Sequence, residues 1–223
     1  WQLPEIDYTQ LAAYGSVRDT IEVLQRRTAS IRRFDKPGFI EEYAGEARGG
    51  RVRDLAIAIH HGLWVSWFLD AAGTPSPWWW NLIMHHGLER WHRQYTEWID
   101  GADLRREDWR TGRYSHAGMR LHYRAGEEVA WVWARPYRLP RSSSFDPLAP
   151  DPGRWIPANE RRSLNLAPLR LAPGRWEVTR YDTWGNAAPR VRTLTITGSD
   201  ASYPIPETDR DCALRLRWLG PAD

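Results

Sequence analysis

Hydrophobic and polar positions in the amino-terminal half of the chain follow two alternating patterns. Short apolar runs bounded by turn residues predict strands, and longer stretches with apolar residues at helical spacing predict helices. In chain order, they predict a strand over Ile6–Tyr14, a helix to about Phe34, a strand over Lys36–Tyr43, a helix over Asp54–Asp70, a strand-like stretch over Gly73–Trp80 and a helix over His86–Ile99. Such alternation predicts parallel strands joined by right-handed helical crossovers.

The pattern changes after Arg110. The carboxy-terminal half has short apolar or alternating runs separated by turn clusters, which is typical of antiparallel β-structure. The predicted strands are Met119–Tyr123, Val129–Ala134, Trp176–Tyr181, Val191–Ile196 and Ala213–Trp218. We expect an antiparallel β-sandwich, with the Pro- and Ser-rich stretch Arg138–Arg161 as a long loop inside it.

Composition and charge narrow the classes of function. The chain has 223 residues and a net charge of +3, and its basic residues are spread among nearly as many acids. This distribution argues against a nucleic-acid partner, and no apolar stretch approaches the ~18 residues of a membrane span. The one cysteine, Cys212, excludes an internal disulfide, and we expect it to be buried in a strand. The 15 Trp residues fit either an aromatic core or a surface that stacks on sugar rings.

The stretch KPGFIEEYAG, Lys36–Gly45, contains the main candidate for catalysis. Pro37 excludes a helix interior, and the apolar pair after it favours a buried strand. Glu41 and Glu42 follow at the end of that strand, where active-site loops of barrel enzymes lie. The alternative is that both acids only mark the point where the chain reaches the surface.

These residues, together with five further stretches, resemble the carboxy-terminal part of clan A glycoside hydrolases, in particular cellulase-like, family-5-type barrels with a small C-terminal β-sandwich. The other matching stretches are His60–Ser66, Ala72–Trp80, Ile99–Leu104, Trp176–Gly185 and Asp211–Leu216. The resemblance implies an α/β plus all-β fold. The last three β/α units of a (β/α)8 barrel would occupy residues 1–104, and an antiparallel β-sandwich residues 105–223.

The resemblance also implies roles for particular residues. Glu42 matches the strand-seven glutamate that is the nucleophile of retaining members, and the predicted sugar-binding residues are Tyr14, Tyr43, Trp78 and Trp80. Three features depart from the family pattern: Glu41 replaces a small residue, Ala44 is inserted before the loop glycine, and Ala12 replaces a site histidine. No cofactor or metal is implied, and the partner is a carbohydrate substrate.

The family's acid/base glutamate lies on strand four, upstream of every residue here. Retaining hydrolysis needs two carboxyls about 5–5.5 Å apart, and Glu41 is a poor substitute because adjacent strand residues point to opposite faces. Because the chain starts at Trp1, we expect residues upstream of it. The missing acid would then come from an upstream half-barrel or a partner chain, and we expect a secreted or cell-surface protein.

Several alternatives stay open. The chain could be a non-catalytic carbohydrate-binding protein or a pseudoenzyme remnant that uses Trp surfaces without chemistry. Trp131 and Trp133 share one strand face, which could be core or a sugar platform, with core as the default. The pairs His60–His61 and His85–His86 offer at most one metal ligand each, so helix-start or loop histidines are the favoured interpretation. Ser142–Ser144 lacks a nucleophile-elbow pattern and is predicted to be loop.

Overall fold

The chain forms two compact units in the computed structural model, residues 1–92 and residues 93–223. The structure describes residues 1–105, 108–138, 145–153, 162–198, 201–205 and 210–222. The boundary between the amino-terminal unit and the carboxy-terminal unit falls inside a helix, ahead of the boundary after residue 104 that the sequence predicts. Most of the predicted loop Arg138–Arg161, including Ser142–Ser144, lies outside the described residues.

The amino-terminal half alternates strands and helices, as predicted. Its elements are β1 (Thr9–Ala13), α1 (Thr20–Arg32), β2 (Gly38–Tyr43), α2 (Val52–Ser66), α3 (Trp80–His85) and α4 (Glu89–Ile99), the last of which crosses the unit boundary. Strands β1 and β2 pair in parallel, which confirms the predicted orientation of the first two strands. The parallel pair brings the carboxyl ends of both strands to the same edge.

The predicted strand over Gly73–Trp80 is mostly wrong. One parallel bridge joins Pro77 to Tyr43 of β2, and α3 begins at Trp80. Prolines at 75 and 77 have no N–H group to donate to a ladder, so the stretch cannot form a regular strand. It still runs beside β2, because the Ser76 N–H donates to Ile40 O at 3.2 Å and the Tyr43 N–H donates to Ser76 O at 3.1 Å.

Helices α1 and α2 differ in how much of their surface is buried. In α1 one face is buried, and it carries the predicted apolar positions, including Ile21, Leu24 and Ile31. In α2 every residue from Leu55 to Ser66 is buried, as expected for a helix that is apolar on all sides. Gly62 of α2 permits this packing, since a Cβ there would lie 1.9 Å from the Tyr43 ring.

The carboxy-terminal unit is antiparallel throughout its described strands. They are β3 (Arg110–His116), β4 (Met119–Ala125), β5 (Val129–Pro136), β6 (Arg162–Asn165), β7 (Gly174–Asp182), β8 (Arg190–Ile196), β9 (Ser202–Ile205) and β10 (Cys212–Gly220). A six-stranded sheet has the order β3-β4-β5-β10-β7-β8, and β6 pairs with β9 in a second sheet. All five predicted strands are confirmed. The sequence missed β3, which is mostly polar, and the four-residue strands β6 and β9.

The core of this unit combines both sheets. Leu164 of β6 and Tyr203 of β9 belong to the same buried cluster as the apolar residues of the six-stranded sheet. Cys212 is fully buried in β10, as predicted. Trp131 and Trp133 are at most 2% exposed, and their indole N–H groups donate to Trp98 O and to the Asp211 carboxylate, respectively. Both residues therefore belong to the core, as the default interpretation held, and do not form a sugar platform.

None of the helices within the described residues has both the length and the apolar character needed to cross a membrane.

Candidate active site

A tyrosine and a glutamate meet at the carboxyl ends of the parallel strands. Glu42 is the second-last residue of β2, and Tyr14 directly follows β1. The Tyr14 hydroxyl donates a hydrogen bond to Glu42 Oε2 at 2.8 Å. Both side chains are half-buried, so the pair is fixed by the fold and still reaches solvent. Tyr14 is the one hydrogen-bond partner of the Glu42 side chain among the residues the structure describes.

A bulge in β2 decides which of the two acids takes this position. Leu11 pairs with Ile40, but its neighbour Ala12 pairs with Glu42, so Glu41 is an extra residue in the ladder. Bulges re-aim the side chains that follow them and are common beside active sites. Glu41 is exposed and Glu42 is half-buried. The bulge therefore places Glu42 beside Tyr14 and leaves Glu41 at the surface.

The loop after Glu42 holds an unusual backbone conformation. Ala44 is 1% exposed and has φ of 90°, a region that residues with a side chain rarely adopt. Two contacts hold it there: the Trp79 indole N–H donates to Ala44 O at 2.7 Å, and the Gly15 N–H donates to Gly45 O at 2.9 Å. Strained residues of this kind cluster at functional sites, where surrounding contacts maintain them. The inserted Ala44 is thus a fixed part of the candidate site.

The predicted sugar-binding role of Tyr43 does not fit its position. Its side chain is fully buried, and its hydroxyl donates to Ile59 O at 2.7 Å. The ring packs directly against Gly62 of α2. Both the ring and the hydroxyl are occupied by the core, so the structure separates Tyr43 from the pair formed by Tyr14 and Glu42.

The three consecutive tryptophans take three different positions. Trp78 is 47% exposed and is tied to the end of β2 by its N–H, which donates to Tyr43 O at 3.0 Å. Trp80 is 64% exposed at the start of α3. The sequence analysis missed Trp79, whose side chain holds the loop at Ala44, and the run of three Trp residues gives no signal that separates it from its neighbours. Trp78 is therefore adjacent to the site, and Trp80 is an exposed ring on the neighbouring helix.

The electrostatics of Tyr14 suit a hydrogen-bond donor. The pKa of the Tyr14 phenol is raised to about 12, first by burial, then by the hydrogen bond to Glu42 and the charges of Glu42 and Glu41. Tyr14 therefore keeps its proton across physiological pH. It holds one carboxylate oxygen of Glu42 and leaves the other available for chemistry.

The two histidine pairs lie at different places in the helices. His60 and His61 are buried inside α2, not at its start as the sequence favoured, while His85 ends α3 and His86 follows it. Within the described ranges, no group of three or more His, Cys, Asp or Glu side chains could hold a metal ion.

Comparisons with known proteins give weak structural similarity to glycoside hydrolases. No protein-family model matches the chain, and no curated protein sequence matches it. A solved structure described as a glycoside hydrolase is similar at 11% identity and a TM-score of 0.44, over 90% of this chain and 46% of that chain. A Paenibacillus polymyxa xyloglucanase of glycoside hydrolase family 44 is similar at 10% identity and a TM-score of 0.38, over 89% of this chain and 35% of that chain.

A third similar structure is BpGH86A, a β-porphyranase of glycoside hydrolase family 86 from the human gut bacterium Bacteroides plebeius. It has 9% identity and a TM-score of 0.34, over 97% of this chain and 42% of that chain. The chain spans less than half the length of each of these three structures.

Proposed function

We propose that this chain is a portion of a retaining glycoside hydrolase that acts on O-glycosidic bonds of a poly- or oligosaccharide, with Glu42 as the nucleophile. The observation that carries the proposal is the hydrogen bond of 2.8 Å from Tyr14 to Glu42 at the carboxyl ends of two parallel strands. Carboxylates at that end of parallel strands are the positions that barrel enzymes use for catalysis. The matching stretch Lys36–Gly45 supports the same assignment.

The proposed chemistry gives Glu42 one role. Its carboxylate attacks the anomeric carbon, the bond to the leaving oxygen breaks, and that oxygen takes a proton from a second carboxylic acid. Water then hydrolyses the glycosyl-enzyme ester, with the second residue as base. Tyr14 is a positioning residue that fixes one oxygen of Glu42. The exposed rings of Trp78 and Trp80 are available for stacking on the sugar.

The second carboxylic acid is proposed to come from an upstream half-barrel or a partner chain. Strand β1 pairs only with β2 among the described residues, so its other edge is available to a further parallel strand. In this arrangement residues 1–104 are the end of a barrel and residues 105–223 a sandwich domain. The intact mass of the protein as its host produces it tests the first of these sources, since a species well above 26.0 kDa carries upstream residues.

Exchange of one carboxylate for an amide tests the role of Glu42. In the protein as its host produces it, we expect Glu42→Gln to remove turnover by a factor of at least about 10⁴ while oligosaccharide binding persists, because an amide cannot attack the anomeric carbon. Reducing-end release and Trp fluorescence titration measure the two properties. Glu41→Gln is the matched control, and we expect it to keep turnover within about threefold. Retained turnover in Glu42→Gln would reject the assignment.

The second candidate function is a carbohydrate-binding protein without catalysis. It is favoured by the exposed rings of Trp78 and Trp80, which can stack on a sugar whether or not Glu42 reacts. The same two assays separate the candidates. Oligosaccharide binding with no release of reducing ends from the complete, unmodified protein would favour the non-catalytic function.

A further inference from the structure

A groove of about 470 Å³ lies on the carboxy-terminal unit, on the face of the six-stranded sheet opposite its main core. Its floor is built by facing positions on three neighbouring strands. Arg217 of β10 pairs with Val129 of β5 and Glu177 of β7, and Arg215 of β10 pairs with Trp131 of β5. The turn after α4, which includes Asp100, and the segment before β3, which includes Trp109, complete the lining. The volume is within the ordinary range of small-molecule sites.

Trp109 is a fixed aromatic surface in this groove. Its indole N–H donates to Leu104 O at 3.0 Å, and its ring contacts the ring of Trp131 at a centroid distance of 5.4 Å. Trp131 is itself 2% exposed and donates to Trp98 O at 2.9 Å. Trp109 is half-buried, so part of its ring is open to the groove. Little conformational freedom remains to be lost when a ligand stacks on it.

The charged groups of the groove alternate in sign. The Arg217 guanidinium lies 3.1 Å from Glu177 Oε1, and Arg215 Nη1 donates to Asp100 O at 3.3 Å. Glu128 and the carboxylate of Asp100 add further acceptors beside these donors. Acidic side chains outnumber the two arginines in the lining, which disfavours an anionic ligand. The excess of acids makes a cationic oligomer the competing ligand, and the titration must separate it from a neutral one.

We propose that this groove binds a neutral oligosaccharide, with one pyranose ring stacked on Trp109 and its hydroxyls bonded to Glu177, Arg215 and Arg217. A hydroxyl is both donor and acceptor, so it can bond to closely alternating carboxylates and guanidinium groups without carrying charge. An apolar sugar face against an indole adds buried area. The site belongs to the carboxy-terminal unit, and it does not depend on Glu42 being a nucleophile.

Titration of the full chain with uncharged hexaoses tests the proposal. The probes are cellohexaose, xylohexaose and mannohexaose, with a chitosan hexamer and an oligogalacturonate as cationic and anionic comparisons. We expect at least one neutral hexaose to bind and to shift the indole N–H resonance of Trp109. Trp109→Ala should weaken that binding by about tenfold, the loss expected for one aromatic stacking contact. Glu177→Gln, which leaves the indole in place, should weaken it by a smaller factor.

Two controls make the result interpretable. Trp109→Phe keeps an aromatic ring and should retain affinity within about threefold, which shows that loss in Trp109→Ala is not misfolding. Trp1→Ala removes an exposed ring from the amino-terminal unit that has no part in the proposed sugar sites, and it should leave the Trp109 shift unchanged. The proposal is overturned if no neutral hexaose moves the Trp109 resonance, if only a charged oligomer does, or if Trp109→Ala binds as the unmodified chain. None of these outcomes bears on Glu42, which the turnover assay tests separately.

Discussion

Glu42 and Asp211, one in each unit of the molecule, both accept a hydrogen bond from an aromatic side chain, and the two carboxylates have opposite environments. Glu42 in the amino-terminal unit is half-buried and has one donor, the Tyr14 hydroxyl. Asp211 in the carboxy-terminal unit is 2% exposed. The indole N–H of Trp133 donates to its Oδ2 at 2.7 Å, and the indole N–H of Trp184 donates to its Oδ1.

The difference separates a carboxylate that reaches solvent from one that belongs to the core. Both oxygens of Asp211 accept an indole N–H, so neither is available to attack a ligand, and burial raises the pKa of Asp211 to about 7 despite these hydrogen bonds. Glu42 accepts the Tyr14 hydroxyl at one oxygen, and its side chain is only half-buried. Access to solvent, more than the presence of an aromatic donor, distinguishes the two sites.

Removal of each carboxylate gives the largest expected contrast. Asp211→Ala leaves two buried indole N–H groups without an acceptor, at ~1–3 kcal/mol each, so we expect a loss of about 4 kcal/mol in the free energy of unfolding. Glu42→Ala should change it by less than about 1 kcal/mol, since its partner Tyr14 can bond to water. Urea unfolding, with amide exchange of β5 and β10 to localise the effect, measures both values.

The matched control for Asp211 is a surface acid on the same unit. Asp151 is 87% exposed in its side chain and lies 3.3 Å from Arg210, so Asp151→Ala should change stability by at most about 0.5 kcal/mol. Equal losses in the Asp211 and Glu42 variants would remove the distinction between the two carboxylates.

The pH dependence of stability gives the next largest effect, through Asp211 and a histidine. His122 stacks on the Trp133 ring at 5.7 Å. Its pKa is lowered to about 3, first by burial and then by the charges of Arg135, Arg113 and Arg120. A lowered folded-state pKa means that stability is lost as pH falls from about 6.5 towards 3. Asp211 has a raised folded-state pKa, so its contribution to the free energy of unfolding is lost as pH rises from about 4 to 7.

The dependence of stability on pH from His122 and that from Asp211 have opposite signs between about pH 4 and 6.5, so they should nearly cancel. The His122→Gln variant keeps only the pH dependence that comes from Asp211. The free energy of unfolding of this variant, relative to the unmodified chain, should therefore fall by ~1.4 kcal/mol per pH unit as pH rises through that window. Asp211→Asn should give the opposite sign of slope. Urea midpoints at several pH values measure both. Parallel profiles for the two variants would show that one of the groups does not titrate as its burial implies.

The sequence predicted Glu42 because the apolar pair Phe39–Ile40 marks a strand and the acids mark its end, which are local properties. It could not predict the bulge at Glu41, because a bulge is set by pairing with β1, and this shift separates Glu42 from Glu41. Tyr43 was misassigned for a related reason: its burial depends on the absence of a side chain at Gly62, far along the chain. The helix α3 was missed because Trp78–Trp80 has neither helical nor strand periodicity.

The role of Asp211 was likewise hidden from sequence. It sits between a turn cluster and an apolar run, a position where acids are usually exposed. Its donors Trp133 and Trp184 are 78 and 27 residues away along the chain. The groove at Trp109 is similar, since its floor joins three strands that only the sheet order brings together. Long-range pairing, unlike strand and helix periodicity, leaves no local pattern to detect.

The smallest expected effect concerns the donor to Glu42. Tyr14→Phe removes the hydroxyl that orients the carboxylate and keeps the ring, so we expect turnover of the complete protein to fall by about tenfold, the value of one hydrogen bond to a charged group. Substrate affinity and the free energy of unfolding should stay nearly constant, because Tyr14 is only half-buried and water can replace its hydroxyl as a donor. Initial rates of reducing-end release at saturating and low substrate separate kcat from KM.

Tyr8→Phe is the control for the Tyr14→Phe variant, since Tyr8 is 49% exposed and contacts the Phe39 ring edge-on at a centroid distance of 5.7 Å. It removes a phenol hydroxyl from the same unit without touching Glu42, so turnover should be unchanged. A loss in Tyr14→Phe as complete as that in Glu42→Gln would mean that Tyr14 takes part directly in the reaction and is more than a positioning residue. No loss at all would mean that Glu42 is held in place by the bulge and the Ala44 loop alone.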